Sequence, residues 1–477
     1  MSDQKTSLSA RPPSHASVFI WLFAVSAIWH YTSSSSDIIN YWFTYNPKIT
    51  PLVFLSIGSA FIAACYPTRT WALMTMCVGQ LIAIFLRFPF VADHLVMELF
   101  LNFAILISFL SVAIPKRTLK VSVEELFAIF SPIGRWLLII MYFYGTFHKF
   151  NPGFMSIHSS CALPFIEGVP VVRDMNAPVV LDYAAIYGTH LLETIEMFLL
   201  LSSRTKYFGM LMGMSFHFII GISGYGTLAH FSAFALALHT LFVPSGFGER
   251  IYNERLVPGI LKSETNFRIA TVLFITLQVA FALHLATSRQ GYLVNSLFAL
   301  FAVTVMFLVF KYGQVRQGDA PYRLKSPLLA LNVLPVWFFI YCLSPYIGMG
   351  TGGVMAMFSG LHTEGGVSNH YIVRKPIRLF PYQDNVVYFE SATNPSLAKL
   401  AEEGQGVVMF DFQRHITYRE QLALPLTVRV NDQRYPLEHP DQLIEFMNEH
   451  FTEQSWLERK YMSFRVVDDP APKQCRH

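Results

Sequence analysis

Between Ser17 and Leu343 one apolar run follows another, each roughly the length of a bilayer's hydrocarbon core, and this constrains the fold more than any motif does. The runs are Ser17–Tyr31, Ile49–Tyr66, Trp71–Val91, His94–Ile114, Ile133–Lys149, Val179–Leu201, Tyr207–Gly224, Thr227–Val243, Phe267–Ala286, Tyr292–Phe310 and Leu328–Leu343. In lipid a backbone must satisfy its own polar groups, and a string of α-helices does so. Composition agrees. Only 14% of residues are charged, against about 25% for an ordinary globular chain, and mean hydropathy is +0.41. The expected fold class is an all-α polytopic membrane domain of about eleven helices, followed by a small α+β soluble domain.

The short loops give an orientation. Lys5, Arg11, Arg69, Lys116, Arg117, Lys120, Arg204, Lys206, Arg250, Arg255, Lys262, Lys311, Arg316, Arg323 and Lys325 fall on one side, and little beyond Lys48, Arg173 and Arg289 on the other. The positive-inside rule then puts the N-terminus in the cytoplasm, and an odd number of spans puts the C-terminus outside the cell membrane. Residues 1–16 read as a disordered cytoplasmic N-terminus, 17–343 as the membrane domain, 344–373 as a glycine-rich cover on the outer face, and 374–477 as the extracytoplasmic α+β domain. In the last part Val386–Glu390, Gly406–Phe412 and Leu426–Val430 read as strands, and Asn431-Asp432 as a hairpin turn into Arg434–Leu437. Five cysteines occur without a CxxC; Cys161 and Cys342 could pair, or each be a buried thiol. A net charge of +4 reads as loop asymmetry, and nothing indicates nucleic acid.

Ionisable side chains in hydrocarbon cost at least about 2.5 kcal/mol each, so each needs a partner or a purpose. His94 and Glu98 share one face of the fourth run. His148 and Lys149 end the fifth, before a stop at Asn151-Pro152-Gly153. His190, Glu193 and Glu196 lie in the sixth run, His217 in the seventh, His230 and His239 in the eighth. Taken singly, His217, His230, His239 or His284 is explained by packing, and Lys149 by anchoring at the interface. Taken together, they cluster in the outer half, where a desolvated lysine can act as a base near neutral pH. Ser344–Val373 is rich in glycine, almost uncharged, and contains Glu364 and His370. That much backbone freedom is kept where a chain must pass closely against something.

Two stretches, YFYGTFHKFNPGF (Tyr142–Phe154) and SPYIGMGTGGVMAMFSGLHTEGGVSNH (Ser344–His370), resemble the vitamin K-dependent gamma-carboxylase-like membrane proteins known as the HTTM group; the second is close to a segment of many bacterial members. Between them ETIEMFLLLSSR (Glu193–Arg204), Ser215-Phe216-His217 and LFVP (Leu241–Pro244) are similar in order and spacing. The resemblance covers roughly Ser17–Val373. It implies a multi-pass enzyme of a bacterial cytoplasmic membrane that deprotonates a reduced, vitamin K-like naphthoquinone, oxygenates it with O2 to an epoxide, and couples this to adding CO2 to a peptide or small-molecule acceptor. Lys149 is then the base and His94 steadies the intermediate, with His148 beside them. His217, Glu193, Glu364 and His370 become candidates for holding the cofactor. The family's lysine pair is His148-Lys149 here and its acidic tryptophan turn is Asn151–Phe154, so quinol oxygenation carries over more readily than protein carboxylation. No metal-ligand set is assigned. The alternatives are a metal-dependent membrane enzyme using His94, Glu98, His217 and His230, though without an HExxH spacing, and a non-enzymatic transporter or scaffold.

Overall fold

The computed structural model describes residues 14–33, 49–169, 172, 178–223, 226–253, 262–288, 291–418 and 423–468. Residues 1–13 of the expected N-terminal tail, the orientation residues Lys5, Arg11, Lys48, Arg173, Arg255 and Arg289, and Cys475 lie outside the described residues.

Each apolar run coincides with helix. The helices are α1 (His15–Trp29), α2 (Thr50–Cys65), α3 (Thr70–Arg87), α4 (Asp93–Lys116), α5 (Val123–His148), α6 (Ala162–Gly168), α7 (Val179–Leu201), α8 (Lys206–Gly221), α9 (Gly226–His239), α10 (Phe247–Asn253), α11 (Glu264–Ser288), α12 (Tyr292–Tyr312) and α13 (Val333–Cys342). Among the described residues the expected count of about eleven spans is not confirmed. Among the described residues six helices, α3, α4, α5, α7, α11 and α12, are long and apolar enough to cross a membrane. A seventh arises if α9 and its extension to Phe242 are joined with α10 across a 99° bend. The remaining apolar runs include α1, α2 and the segment of α13, which are shorter. His15 and Ala16, read as part of the tail, belong to α1, because Ser14 caps its first turn by accepting from Ser17 N (3.3 Å).

Helix α5 is the most buried of the six. It starts ten residues before its apolar run, where the Ser122 hydroxyl accepts from Glu125 N (3.1 Å) and two glutamates face the helix dipole. Its buried Arg135 is satisfied by the carbonyls of Leu241 (2.8 Å) and Arg323 (2.6 Å). Asn151 ends it and does three jobs. Its Oδ1 accepts from Phe154 N (3.0 Å), capping the one-turn helix Pro152–Met155, while its Nδ2 donates to His148 O (2.7 Å) and Ser359 O (2.8 Å). The last bond ties the end of α5 to the glycine-rich segment.

That segment is largely buried. Gly360 (φ +63°) passes so close to Gly153 and Phe154 that a Cβ would crowd their backbone. Its other end is clamped by the C-terminal residues: Thr351 N and Gly352 N both donate to Ser463 O (2.9 Å), and Arg465 reaches Ala356 O (3.0 Å) and Leu361 O (2.7 Å). The C-terminal part is a five-stranded antiparallel sheet in the order β4-β3-β1-β2-β5, formed by β1 (Val386–Ala392), β2 (Gln405–Val408), β3 (Leu426–Val430), β4 (Gln433–Leu437) and β5 (Val467–Asp468). Asn431 and Asp432 take positive φ in the β3–β4 turn, as a two-residue hairpin requires. Leu426, Val428 and Val430 alternate into a core with Val387, Phe389, Phe412 and Phe446. Cys342 is a free thiol while Cys161 is disulfide-bonded, so the two do not pair with each other.

Candidate active site

A cavity of about 300 Å³ lies between α5, α6, α7, α8 and the glycine-rich segment. Its walls are apolar: Met141 and Gly145 from α5, Phe154, Phe165 from α6, Leu192 from α7, Phe216 from α8, with Met355, Met357 and Phe358 above. Met355 (φ +59°) and Phe358 (φ +57°) hold left-handed backbone that large side chains rarely adopt. Against these walls stand Lys149 and Glu193, each 7% exposed. Lys149 Nζ donates to both carboxylate oxygens of Glu193, at 2.5 and 2.6 Å, and lies 5.5 Å from the centre of the Phe154 ring. The helix stop at Asn151 holds Lys149 at the end of α5, facing the middle of α7.

A second polar chain starts at the same cavity. His217 lines it, with Nε2 2.9 Å from Tyr142 Oη and Nδ1 buried without a partner. Tyr142 Oη also contacts His239 Nε2 (3.2 Å), which lies 2.6 Å from Glu196 Oε1, while His239 Nδ1 is held by Ala235 O (2.7 Å). The two nearby carboxylates of α7 are therefore paired separately, Glu193 with lysine and Glu196 with histidine.

Lys149, Glu193 and His217 are thus brought to one cavity. The other expected site residues are not among its lining. His94 packs on the far side of Phe231, whose ring lies 5.8 Å from His94 and 5.1 Å from His217. There it joins His30 and His230. His148 turns away from Lys149, as successive residues of a helix must: Nδ1 meets Tyr346 Oη (2.9 Å) and Nε2 meets Val354 O (3.2 Å). His370 holds Phe147 O (2.8 Å) and accepts from Ile372 N and Val373 N. Glu364 accepts from Thr363 N (2.8 Å) and pairs with His362 (3.3 Å). These three fasten the glycine-rich segment. Burial alone would raise the Glu364 carboxyl, but the His362 hydrogen bond and charge, with Arg465 and the Thr363 amide, outweigh it and hold the group at about 2.

Sequence reasoning missed Tyr142, Asp93 and His30. Tyr142 lies two turns before Lys149 on the same face, a usable signal. Asp93 accepts from Met357 N (2.7 Å) and ties α4 to the cavity's roof, a contact no local pattern announces.

Fold and site together define a helical protein, its longest helices suited to a membrane, with a buried lysine–carboxylate pair in an apolar cavity. Compared with protein families, curated proteins and solved structures, the chain matches none.

Proposed function

We propose that the chain is a membrane enzyme that deprotonates and oxygenates a reduced naphthoquinone, the reaction its family resemblance implies. The observation that carries this reading is the bidentate Lys149–Glu193 pair in an aromatic- and methionine-lined cavity, whose size is at the lower end of small-molecule sites. A flat bicyclic ring suits these walls, and the Lys149–Glu193 pair offers the polar contact for a ring oxygen. When bound, a reduced naphthoquinone supplies the oxygen chemistry. Glu193 takes the hydroxyl proton, so one O–H bond breaks and one forms. The Lys149 ammonium, losing its carboxylate partner, then faces the charge left behind, and low dielectric makes that attraction strong. Transfer through the Lys149 amine reaches the same end state. Coupling to carboxylation of an acceptor extends the proposal.

The test is mass-spectrometric detection of quinone epoxide from protein, reduced naphthoquinone and O2. Removing one member of a buried pair strands the other charge, at a cost of about 3–5 kcal/mol, whereas replacing both by apolar groups is often neutral. Lys149→Met with Glu193→Leu is therefore the folded, inactive comparison. Epoxide is expected from the wild type and not from the double variant. Equal yields from both would sink the proposal.

A further inference from the structure

Three histidines from three helices converge behind Phe231, apart from the cavity. His30 follows the last residue of α1, His94 is in the first turn of α4 and His230 in α9. All are buried, at 8%, 3% and 3% exposure, and a ligand-capable atom of each lies within 4.8 Å of those of the other two. The ring centroids of His94 and His230 are 4.1 Å apart, and those of His30 and His230 4.5 Å. The Nε2 atoms of His94 and His230 face one another in a very short contact, and Nδ1 of all three rings is buried without a partner. One turn on from His94, Glu98 Oε1 is also buried and unpartnered, and a further turn on so are both side-chain atoms of Asn102. Buried polar groups in an apolar bundle are normally satisfied, yet two of these rings turn their Nε2 atoms on each other with at most one proton between them, a convergence that a shared ion would account for.

We infer that His30, His94 and His230 form a binding site for a late first-row transition-metal ion, of the class of Zn2+, Co2+ or Cu+. Neutral imidazole suits these ions, and three protein nitrogens leave a fourth position open. Metal–nitrogen bonds of about 2.0–2.1 Å set nitrogens about 3.3 Å apart in a tetrahedral site, so the His94–His230 contact has to open slightly. The proton between these two Nε2 atoms moves to Nδ1, where nothing competes for it. Arg87 Nη1, now 3.0 Å from His30 Nε2, gives up that bond and keeps Tyr31 Oη, at 3.2 Å. Glu98 lies one turn on from His94 on the same face of α4. The site does not depend on the quinone reading.

The experiment uses the full chain in detergent, stripped of metal and titrated with Co2+ alone. One equivalent per chain is expected, with the visible spectrum of a four-coordinate ion and displacement by Zn2+. His30→Gln and His230→Gln should each weaken binding by about 100-fold or more, and His284→Gln should not. A ligand variant that failed to fold would leave X-ray absorption of the Zn2+-loaded wild type as the reading, with three imidazoles expected. Fewer than three, no tight Co2+ in the wild type, or binding indifferent to His230→Gln in folded protein would overturn the site.

Discussion

Gly213 on α8 shows how closely the buried polar groups are packed. A Cβ there would overlap both Glu196 Oε1 and His239 Nε2, so only glycine lets α8 pass over that pair. Gly213→Ala must push the two apart or shift the helix, and overpacking of this kind costs about 1–3 kcal/mol. A lower Tm in detergent is the expected result; an unchanged Tm would show that the helices yield without cost. At this scale the sequence was informative only where partners have a recognisable chemistry. Lys149, Glu193 and His217 stood out because ionisable groups in hydrocarbon need a reason. His30 lies inside a run that reads as ordinary packing, and only the crossing of α1, α4 and α9 brings it to His94 and His230.

Among the elements, the glycine-rich segment behaves as a roof fastened at several points: Asn151 and His370 to the end of α5, Asp93 to α4, Arg465 and Ser463 to the C-terminal residues. Its internal fastening includes Glu364, whose carboxyl is held at about 2 against an ordinary 4.5. A folded-state value below the unfolded one contributes stability that is fully present above about 4.5 and is lost as pH falls toward 2. Hydrogen-exchange protection across residues 344–373, taken relative to the intrinsic rate at each pH, should therefore fall over that interval, and Glu364→Gln should flatten the dependence. A loss of protection of equal size in the variant would assign it to other groups. The close packing of this stretch could be read from its glycines, since backbone passing closely over other backbone, as Gly360 does over Gly153 and Phe154, leaves little else to choose. Its anchoring histidines could not be told from cofactor ligands, because the same residue type at the same depth serves either purpose.

Across the whole molecule, the apolar runs were all legible as helices, but their length in hydrocarbon was not. A run that reads as a span can be half of a bent pair or stop short, as α9 with α10 and α13 show, and hydropathy averages over such breaks. The small sheet was visible in its alternation and its Asn431-Asp432 turn, and its seat on the helices was not. Lys460 reaches the carbonyls of Leu86 (3.1 Å) and Phe88 (3.0 Å), and Tyr461 packs on Phe85 and Phe88.

The cavity has one further property. Its exposed lining residues include Ala184 of α7 and Ile219 of α8, on the flank of the bundle, while Met355, Met357 and Phe358 close it above. Under the proposed quinol reaction a ligand entering by that flank would arrive from the surrounding lipid, so the protein would count molecules per lipid and not per litre. In proteoliposomes, tripling the lipid at fixed protein and fixed total quinone should lower the rate below saturation, whereas tripling the water volume at fixed vesicle composition should leave turnover per enzyme unchanged. A lipophilic substrate would thus be sensed as a property of the membrane itself, and crowding by other apolar solutes would act on this protein as dilution.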